Sequence, residues 1–408
     1  MSILRSFHSD LSVTLQLRKD FDMKRTLAEA ALIVSLLSPF RAMCAPPPGY
    51  GLEFRPVPRT VSGVYTVDAS GKLYYGHYEA KGAPESLKRG ERGMSNELWA
   101  FDPTSDTHQL CYSAEGHSSP RINSASGIAI DESVDPRRYW IADQSPNGDP
   151  WTSGAIWLGE DLNADGDIDD PGETSMATDI NAIPSIEGLI LDESSGVLYA
   201  SDATGSAGSI MVYRLADQNG DDFFQASEIT SYFNLPIDSF AGKLAFDTTD
   251  PTVIFTVDST GRLYRLKDLN ADLDCNDPLE ATILTSTLNG GFGIAVDPAG
   301  RVFVTGSNYV SGTHHLYRIT PGVPTTVELF DDLAGFTGWS GTVIFDRGTD
   351  FEPNHTSARL YMNYSTPLWS DPDVFAIYSG TTPDVPALNP IGIAIAISVL
   401  GIMLIRRR

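Results

Sequence analysis

An all-β chain folded as a six-bladed β-propeller, with four antiparallel strands per blade, is the fold class this sequence predicts, on three observations. A short apolar run ending in Asp recurs six times: GVYTVD to Asp68, GIAID to Asp131, GLILD to Asp192, KLAFD to Asp247, GIAVD to Asp297 and GTVIFD to Asp346. The spacing, about 50 to 60 residues, is that of a solenoid or propeller. Each Asp is followed by a turn and then by further short runs rich in β-branched and aromatic residues, the mark of strands. Helical periodicity is almost absent between residues 50 and 380.

The elements follow in order within each copy. The second runs are KLYYGHY, RYWIAD, VLYASD, VIFTVD, RVFVTG and ARLYMNY, and the third are NELWAFD, GAIWLGE, SIMVYRL, GRLYRLK, HHLYRIT and DVFAIYS. Five copies add a fourth run: HQLCYSA, TSMATDI, EITSYFN, ATILTST and TTVELFD. The sixth copy stops after Ser379, whereas an extended segment from Leu52 to Val57 precedes the first copy. That segment is expected to supply the missing outer strand and so close the ring, removing an exposed edge. Pro56 is tolerable there, because an outermost strand has a side that needs no amide donor. The strand–turn–strand unit GIAVDPAGRVFVTG resembles that of the six-bladed NHL and SMP-30-like propellers, over Gly63 to Ser379. The resemblance implies a fold and by itself no activity.

Three copies carry an acidic loop directly after the third strand. The candidate ligands are Asp161, Asn163, Asp165, Asp167, Asp169 and Glu173 in the first loop. They are Asp217, Asn219, Asp221, Gln225 and Glu228 in the second, and Asp268, Asn270, Asp272, Asp274, Asn276 and Glu280 in the third. Alternate side-chain oxygens converge on one point and a terminal Glu closes the shell, which points to Ca²⁺. The loops resemble EF-hand or dockerin-type loops set in hairpins. In the first and third the Glu falls one residue late, so a local bulge is expected, with Asp169 and Asn276 supplying the ninth-position oxygen. The sixth position needs a sharp turn and is Gly166, Asp222 and Leu273 in turn, so affinity is expected to fall in that order. The eighth position is Ile168, Phe224 and Cys275, expected to pack each loop against its own blade.

Topology assigns the faces. The 1–2 and 3–4 turns share one rim, which carries the acidic loops. The long 2–3 connections, Glu79–Ser95, Gln144–Ser153, Ser307–Thr313 and Ser365–Asp373, share the other, with Trp151, Tyr309 and Trp369 as candidate recognition residues.

Both ends read as addresses. Residues 1–45 follow a signal-peptide plan, with Met23 as an alternative start, Lys24 and Arg25 before an apolar run, and cleavage near Ala45. The propeller occupies 46–380, a linker and sorting motif 381–390, and a transmembrane sorting tail 391–408. The apolar Ile391–Ile405 run measures about 22 Å as a helix against ~30 Å of hydrocarbon, a minimal span once Ala387 and Leu388 are added. Arg406, Arg407 and Arg408 place the C-terminus in the cytoplasm. The tail resembles the PEP-CTERM class, cut by exosortase-type peptidases, although Pro386-Ala387-Leu388-Asn389-Pro390 replaces the Pro-Glu-Pro core. A plain tail anchor is the alternative. Either reading exports the propeller to the periplasm or outer surface of a Gram-negative bacterium, with the membrane touched only by the tail.

The formal charge of −25 argues against nucleic acid or anionic lipid as a partner. Cys44 lies in the leader, and Cys111 and Cys275 leave a disulfide open. No G-x-S-x-G, H-E-x-x-H or P-loop occurs. Asp297 is expected to cap a turn. Glu187, just before GLIL, is the one weak catalytic candidate, since the SMP-30-like resemblance implies a metal-binding Glu at such a channel-facing position. The expected function is an exported, calcium-stabilised binding or matrix protein, sorted to the cell surface, with a protein or polysaccharide ligand and no catalytic role. The alternative is a calcium-dependent propeller hydrolase, a lactonase or phytase-like esterase.

Overall fold

Runs of β-branched and aromatic residues, broken every few positions by Gly, Asp and Ser, form 24 strands among the described residues, in six four-stranded antiparallel sheets. The computed structural model describes residues 46–380, apart from 58–60, 79–94, 116, 119, 147–152, 204, 206–207, 237, 309–312, 334–339, 355–356 and 365–373. The leader, the sorting tail, Trp151, Tyr309 and Trp369 lie outside the described residues. Pro46–Thr382 forms one compact unit.

β1 (Gly51–Pro56) precedes the first blade, which is β2 (Val61–Val67), β3 (Leu73–Tyr78), β4 (Ser95–Asp102) and β5 (Thr107–Ser113). Blade two is β6 (Ala125–Asp131), β7 (Arg138–Asp143), β8 (Ala155–Glu160) and β9 (Thr174–Met176). Blade three is β10 (Ile186–Asp192), β11 (Val197–Asp202), β12 (Ile210–Leu215) and β13 (Ile229–Asn234). Blade four is β14 (Ala241–Phe246), β15 (Ile254–Asp258), β16 (Leu263–Leu266) and β17 (Ala281–Thr285). Blade five is β18 (Ile294–Val296), β19 (Val302–Asn308), β20 (Thr313–Thr320) and β21 (Thr326–Asp331). Blade six is β22 (Ser340–Phe345), β23 (Arg359–Tyr364) and β24 (Val374–Ser379). Its fourth strand is β1, antiparallel to β24 from Gly51 opposite Ser379 to Pro56 opposite Val374. The ring therefore closes as the sequence leads one to expect, with the edge of the last sheet covered by the start of the chain.

Near the axis, at least one hydrogen bond joins each blade to the next. Tyr65 Oη donates to Ala125 O (2.5 Å), Ser126 Oγ to Ile186 O (2.5 Å) and Ser201 Oγ to Gly242 O (2.7 Å). Lys243 N donates to Phe292 O (2.8 Å), Thr305 Oγ1 to Gly341 O (2.8 Å), and Val64 N to Thr342 Oγ1 (2.6 Å). The circuit runs from blade one round to blade six and back. Apolar faces pack between blades, for example Tyr74, Ile128, Tyr139 and Trp157 between blades one and two. Between blades five and six the filling is aromatic, with the Phe303 ring in edge contact with Phe330, Phe345 and Phe351, and Phe345 with Phe351. Each fully buried side chain of this size contributes about 1.5–3 kcal/mol.

The strand-ending Asp residues cap turns. Asp297 Oδ1 accepts from Ala299 N and Arg301 N, and Asp68 Oδ1 from Ser70 Oγ and Lys72 N. Gly71 and Gly300 sit at φ +85° and +78°, a region open to glycine without a Cβ clash.

Candidate functional site

The rim loops wind in the same way three times. The first Asp accepts from the sixth amide: Asp161 Oδ2 from Gly166 N (3.0 Å), Asp217 Oδ2 from Asp222 N (2.9 Å), and Asp268 Oδ2 from Leu273 N (2.9 Å). The third residue accepts from the fifth, as in Asn163 Oδ1 from Asp165 N, Asn219 Oδ1 from Asp221 N and Asn270 Oδ1 from Asp272 N. The terminal Glu is buried and ties both ends together. Glu173, Glu228 and Glu280 accept on Oε1 from Leu162 N, Gln218 N and Leu269 N, each at 2.9 Å. Their Oε2 atoms accept from Asp170 N, Gln225 N and Asp277 N.

Those last partners locate the late Glu. Asp170 and Asp277 take the place Gln225 holds in the second loop, so the extra residue is the ninth, Asp169 or Asn276. Its side chain turns outward to the preceding blade. Asp169 Oδ1 accepts from Ser113 N (2.9 Å) and pairs with His117 Nε2 (3.0 Å), and Asn276 Oδ1 accepts from Asn234 N (2.9 Å). These two residues are therefore docking groups, which corrects their expected role as ninth-position ligands. Asp170 and Asp277 point back into the loops instead, with Asn163 Nδ2 donating to Asp170 Oδ2 (2.6 Å) and Asn270 Nδ2 to Asp277 Oδ2 (2.8 Å). Sequence reasoning missed them. The signal was an Asp-Pro pair immediately after the inserted position.

The eighth residue packs against its own blade as expected, Ile168 lying over Gly159 of β8, and it also reaches the preceding blade. Ile168 N donates to Cys111 O (2.8 Å), Phe224 N to Ala177 O (2.7 Å) and Cys275 N to Tyr232 O (2.7 Å). The side chains are buried in the interfaces of blades one–two, two–three and three–four. Arg138 on β7 adds a two-pronged ion pair to Asp222 of the second loop, at 2.8 and 2.9 Å. Cys111 and Cys275 are free and lie in different interfaces, and burial pushes both thiols up to about 12.

In one loop the oxygen atoms are grouped closely enough to hold a metal ion. In the third loop, ligand oxygens of Asp268, Asp272 and Glu280 lie within 4.8 Å of one another. In the first, Asp161 Oδ1 is buried with no hydrogen-bond partner. Gly166, Asp222 and Leu273 all adopt the left-handed conformation, at φ +98°, +62° and +73°. Leu273 carries that strain on an exposed side chain. Leu273→Gly is expected to raise stability by about 1 kcal/mol, read as a higher urea midpoint at unchanged slope.

The second region is the channel along the ring axis. Five positions before the strand-ending Asp stand Gly63, Ser126, Glu187, Gly242, Phe292 and Gly341, and one position later Val64, Gly127, Gly188, Lys243, Gly293 and Thr342. Two adjacent blades thus place a carboxylate and an ammonium on a ring otherwise of small, hydroxyl or apolar residues. Glu187 lies within β10, not ahead of it, at a bulge where Ile186 and Gly188 pair with Asp202 and Ser201. Ser126 and Lys243 sit at equivalent irregularities. A bulged residue leaves the ladder and its side chain is re-aimed.

Lys243 Nζ lies 2.9 Å from Glu187 Oε1 and donates to Ser126 O and Glu187 O. Gln144, the first residue of a 2–3 loop, donates Nε2 to Glu187 Oε2 at 2.7 Å. The ammonium faces the rings of Tyr65 and Phe292 at 5.5 and 5.4 Å. Glu187 and Lys243 are 8 % and 9 % exposed, so this is a buried ion pair reached from the 2–3 rim. Beside Gln144, burial pushes the Asp143 carboxyl up to about 6, opposed by the amides of Ser145, Asn123 and Ser124 and by Trp157 Nε1. Behind Lys243 the channel holds a cavity of about 280 Å³. Arg347 lies at its far mouth, 2.6 Å from Glu132 Oε2 and 4.0 Å from Glu193 Oε1.

No family profile matches the chain, and no curated protein does. Among solved structures, the chain is similar to a PQQ-bound aldose sugar dehydrogenase from Streptomyces coelicolor, at 15 % identity and TM-score 0.53, over 82 % of this chain and 99 % of that one. A gluconolactonase from Xanthomonas campestris matches at 12 % identity and TM-score 0.47, over 78 % and 86 %. A putative glucose dehydrogenase from Thermus thermophilus matches at 13 % and 0.48, over 80 % and 100 %. At such identities the likeness shows the six-bladed ring and nothing of the site. The aldose sugar dehydrogenase that shares this ring is described as an enzyme, so the expectation of a binding or matrix protein without a catalytic role is corrected in favour of its alternative, a catalytic propeller.

Proposed function

We propose that the chain is a propeller hydrolase that opens small lactones or esters of sugar type at the 2–3 mouth of its axial channel. The observation that carries this reading is the buried Glu187–Lys243 pair with Gln144 on an otherwise uncharged ring. Desolvating two charges costs several kcal/mol each, whereas the contacts that Ser126, Ser201 and Thr305 make to the next blade near the axis use hydroxyl and carbonyl groups without that cost. A desolvated charged pair facing the axial channel marks a site.

The chemistry follows from the geometry. The Glu187 carboxylate, held by Lys243 and Gln144, takes a proton from water as the oxygen attacks the carbonyl carbon. It returns the proton to the ring oxygen as the C–O bond breaks, giving the hydroxy acid. A metal ion does not fit at this mouth, because Lys243 Nζ already fills the space between the three oxygens.

Calcium belongs to the rim loops in this reading. Asp161, Asp268, Asp272 and the buried Glu173, Glu228 and Glu280 would hold it, and it would supply stability and not chemistry. Export by the leader and release or anchoring through the exosortase-type tail complete the proposal, supported by the sequence of both ends.

The reading is tested by proton release from glucono-1,5-lactone and p-nitrophenyl acetate over the spontaneous rate. Glu187→Gln is expected to lower kcat about 100-fold, the low end for losing a general base. Equal rates in the two proteins would sink the assignment.

A further inference from the structure

An ammonium carries three N–H donors and no acceptor. At the channel mouth all three find oxygen: Ser126 O, Glu187 O and Glu187 Oε1. The two carbonyls belong to residues at bulges, where a sheet leaves groups unpaired. Two aromatic faces complete the surround, and ring faces favour a cation. Blades two and three thus supply the oxygens, blade four the cation, and blade one the Tyr65 ring, while Phe292 leads into blade five. The arrangement is that of a cation site whose cation is covalently attached to the chain.

We propose that Lys243 is the resident cation of this mouth, and that its ammonium occupies a latent metal site whose ligands are Ser126 O and the carbonyl and carboxylate of Glu187. A dissociable cation and the ammonium exclude each other there, since both need the same three oxygens. Two consequences separate this mouth from the rim. Removing the ammonium uncovers one divalent or trivalent site, with hard oxygen ligands of the kind calcium and lanthanides accept. Hydrolysis at the mouth, which rests on the function proposed above, needs no dissociable metal, so it survives chelation at temperatures where the ring stays folded. Lys243 acts as a positioning residue in that reaction: it fixes the Glu187 carboxylate and keeps its charge compensated.

The test counts metal sites in the full chain by terbium titration, followed by calorimetry and tyrosine-sensitised emission. Rim-loop sites are common to all proteins compared, so only differences matter. Lys243→Ala is expected to bind one terbium more than the wild type, with added emission from the neighbouring Tyr65, and Lys243→Ala/Glu187→Gln is expected to return to the wild-type count. Glu187→Gln alone, which leaves Lys243 in place, is expected to keep the wild-type count. Loss of a site on Glu187→Gln alone would show a metal already at the mouth and overturn the proposal, even if Lys243→Ala fails to fold. A folded Lys243→Ala protein with the wild-type count would overturn it too. Lactone hydrolysis by the wild type in EDTA is the second readout: unchanged kcat supports a metal-free mouth, and complete loss with the circular dichroism unaltered refutes it. Absence of hydrolysis in every buffer would remove the proposed function and leave the terbium count to decide the cation.

Discussion

Chelation of divalent cations is expected to lower the melting temperature of this protein by about 10 °C or more. Each acidic loop does two things at once. Its carboxylates gather at the rim, and its eighth residue reaches across to the outer edge of the preceding blade. Metal bound in the loops would therefore staple the interfaces of blades one–two, two–three and three–four. At a calcium concentration about 100 times Kd, one site adds about 2.7 kcal/mol to the folded state, and three sites roughly 8 kcal/mol. Without the ion, Asp and Glu side chains sit together with like charge at each loop, which adds to the loss. Differential scanning calorimetry with and without calcium measures the shift. Superimposable transitions across a calcium titration would remove the metal from the account.

Truncating the second staple is the next largest effect. Phe224→Ala is expected to destabilise the ring by about 3–5 kcal/mol. Phe224 is 1 % exposed and packs among Trp140, Leu158 and Leu198, its ring 5.4 Å from that of Trp140. It is carried by blade three and fills the interface with blade two, so the sheets cannot close the cavity without shifting the Phe224 N to Ala177 O contact. Urea unfolding of the two proteins in saturating calcium gives the difference directly. A change below 1 kcal/mol would mean that the loop leaves the interface without cost.

The ring was legible because its signals are local. The six strand-ending Asp residues repeat in sequence, and the unpaired Leu52–Val57 run fits the one copy that lacks a fourth strand, where β1 pairs with β24. The loop composition was equally plain. What the loops touch was not, since Ile168 meets Cys111 and Phe224 meets Ala177 across gaps in the chain that no short pattern spans. The same limit hid Lys243. A lysine inside KLAFD looks like an ordinary strand residue, and its importance comes from Ser126 and Glu187 on two other blades. A sharper reading was available: with the six inner strands aligned on their Asp, Glu187 and Lys243 are the only charged residues at the two positions that bulge toward the axis. Asp169 and Asn276 were misplaced because spacing along a loop counts residues and cannot show which of them the bulge turns outward.

The proposed hydrolase site is tested most directly by a crystal structure grown with the sugar acid gluconate, the product expected from a lactone. Ordered gluconate at the 2–3 mouth, its carboxyl or hydroxyl oxygens within hydrogen-bond reach of Glu187 or Gln144, is the predicted result. Gluconate at saturating concentration bound elsewhere, or not at all, would contradict the assignment of the mouth as the place where this protein acts.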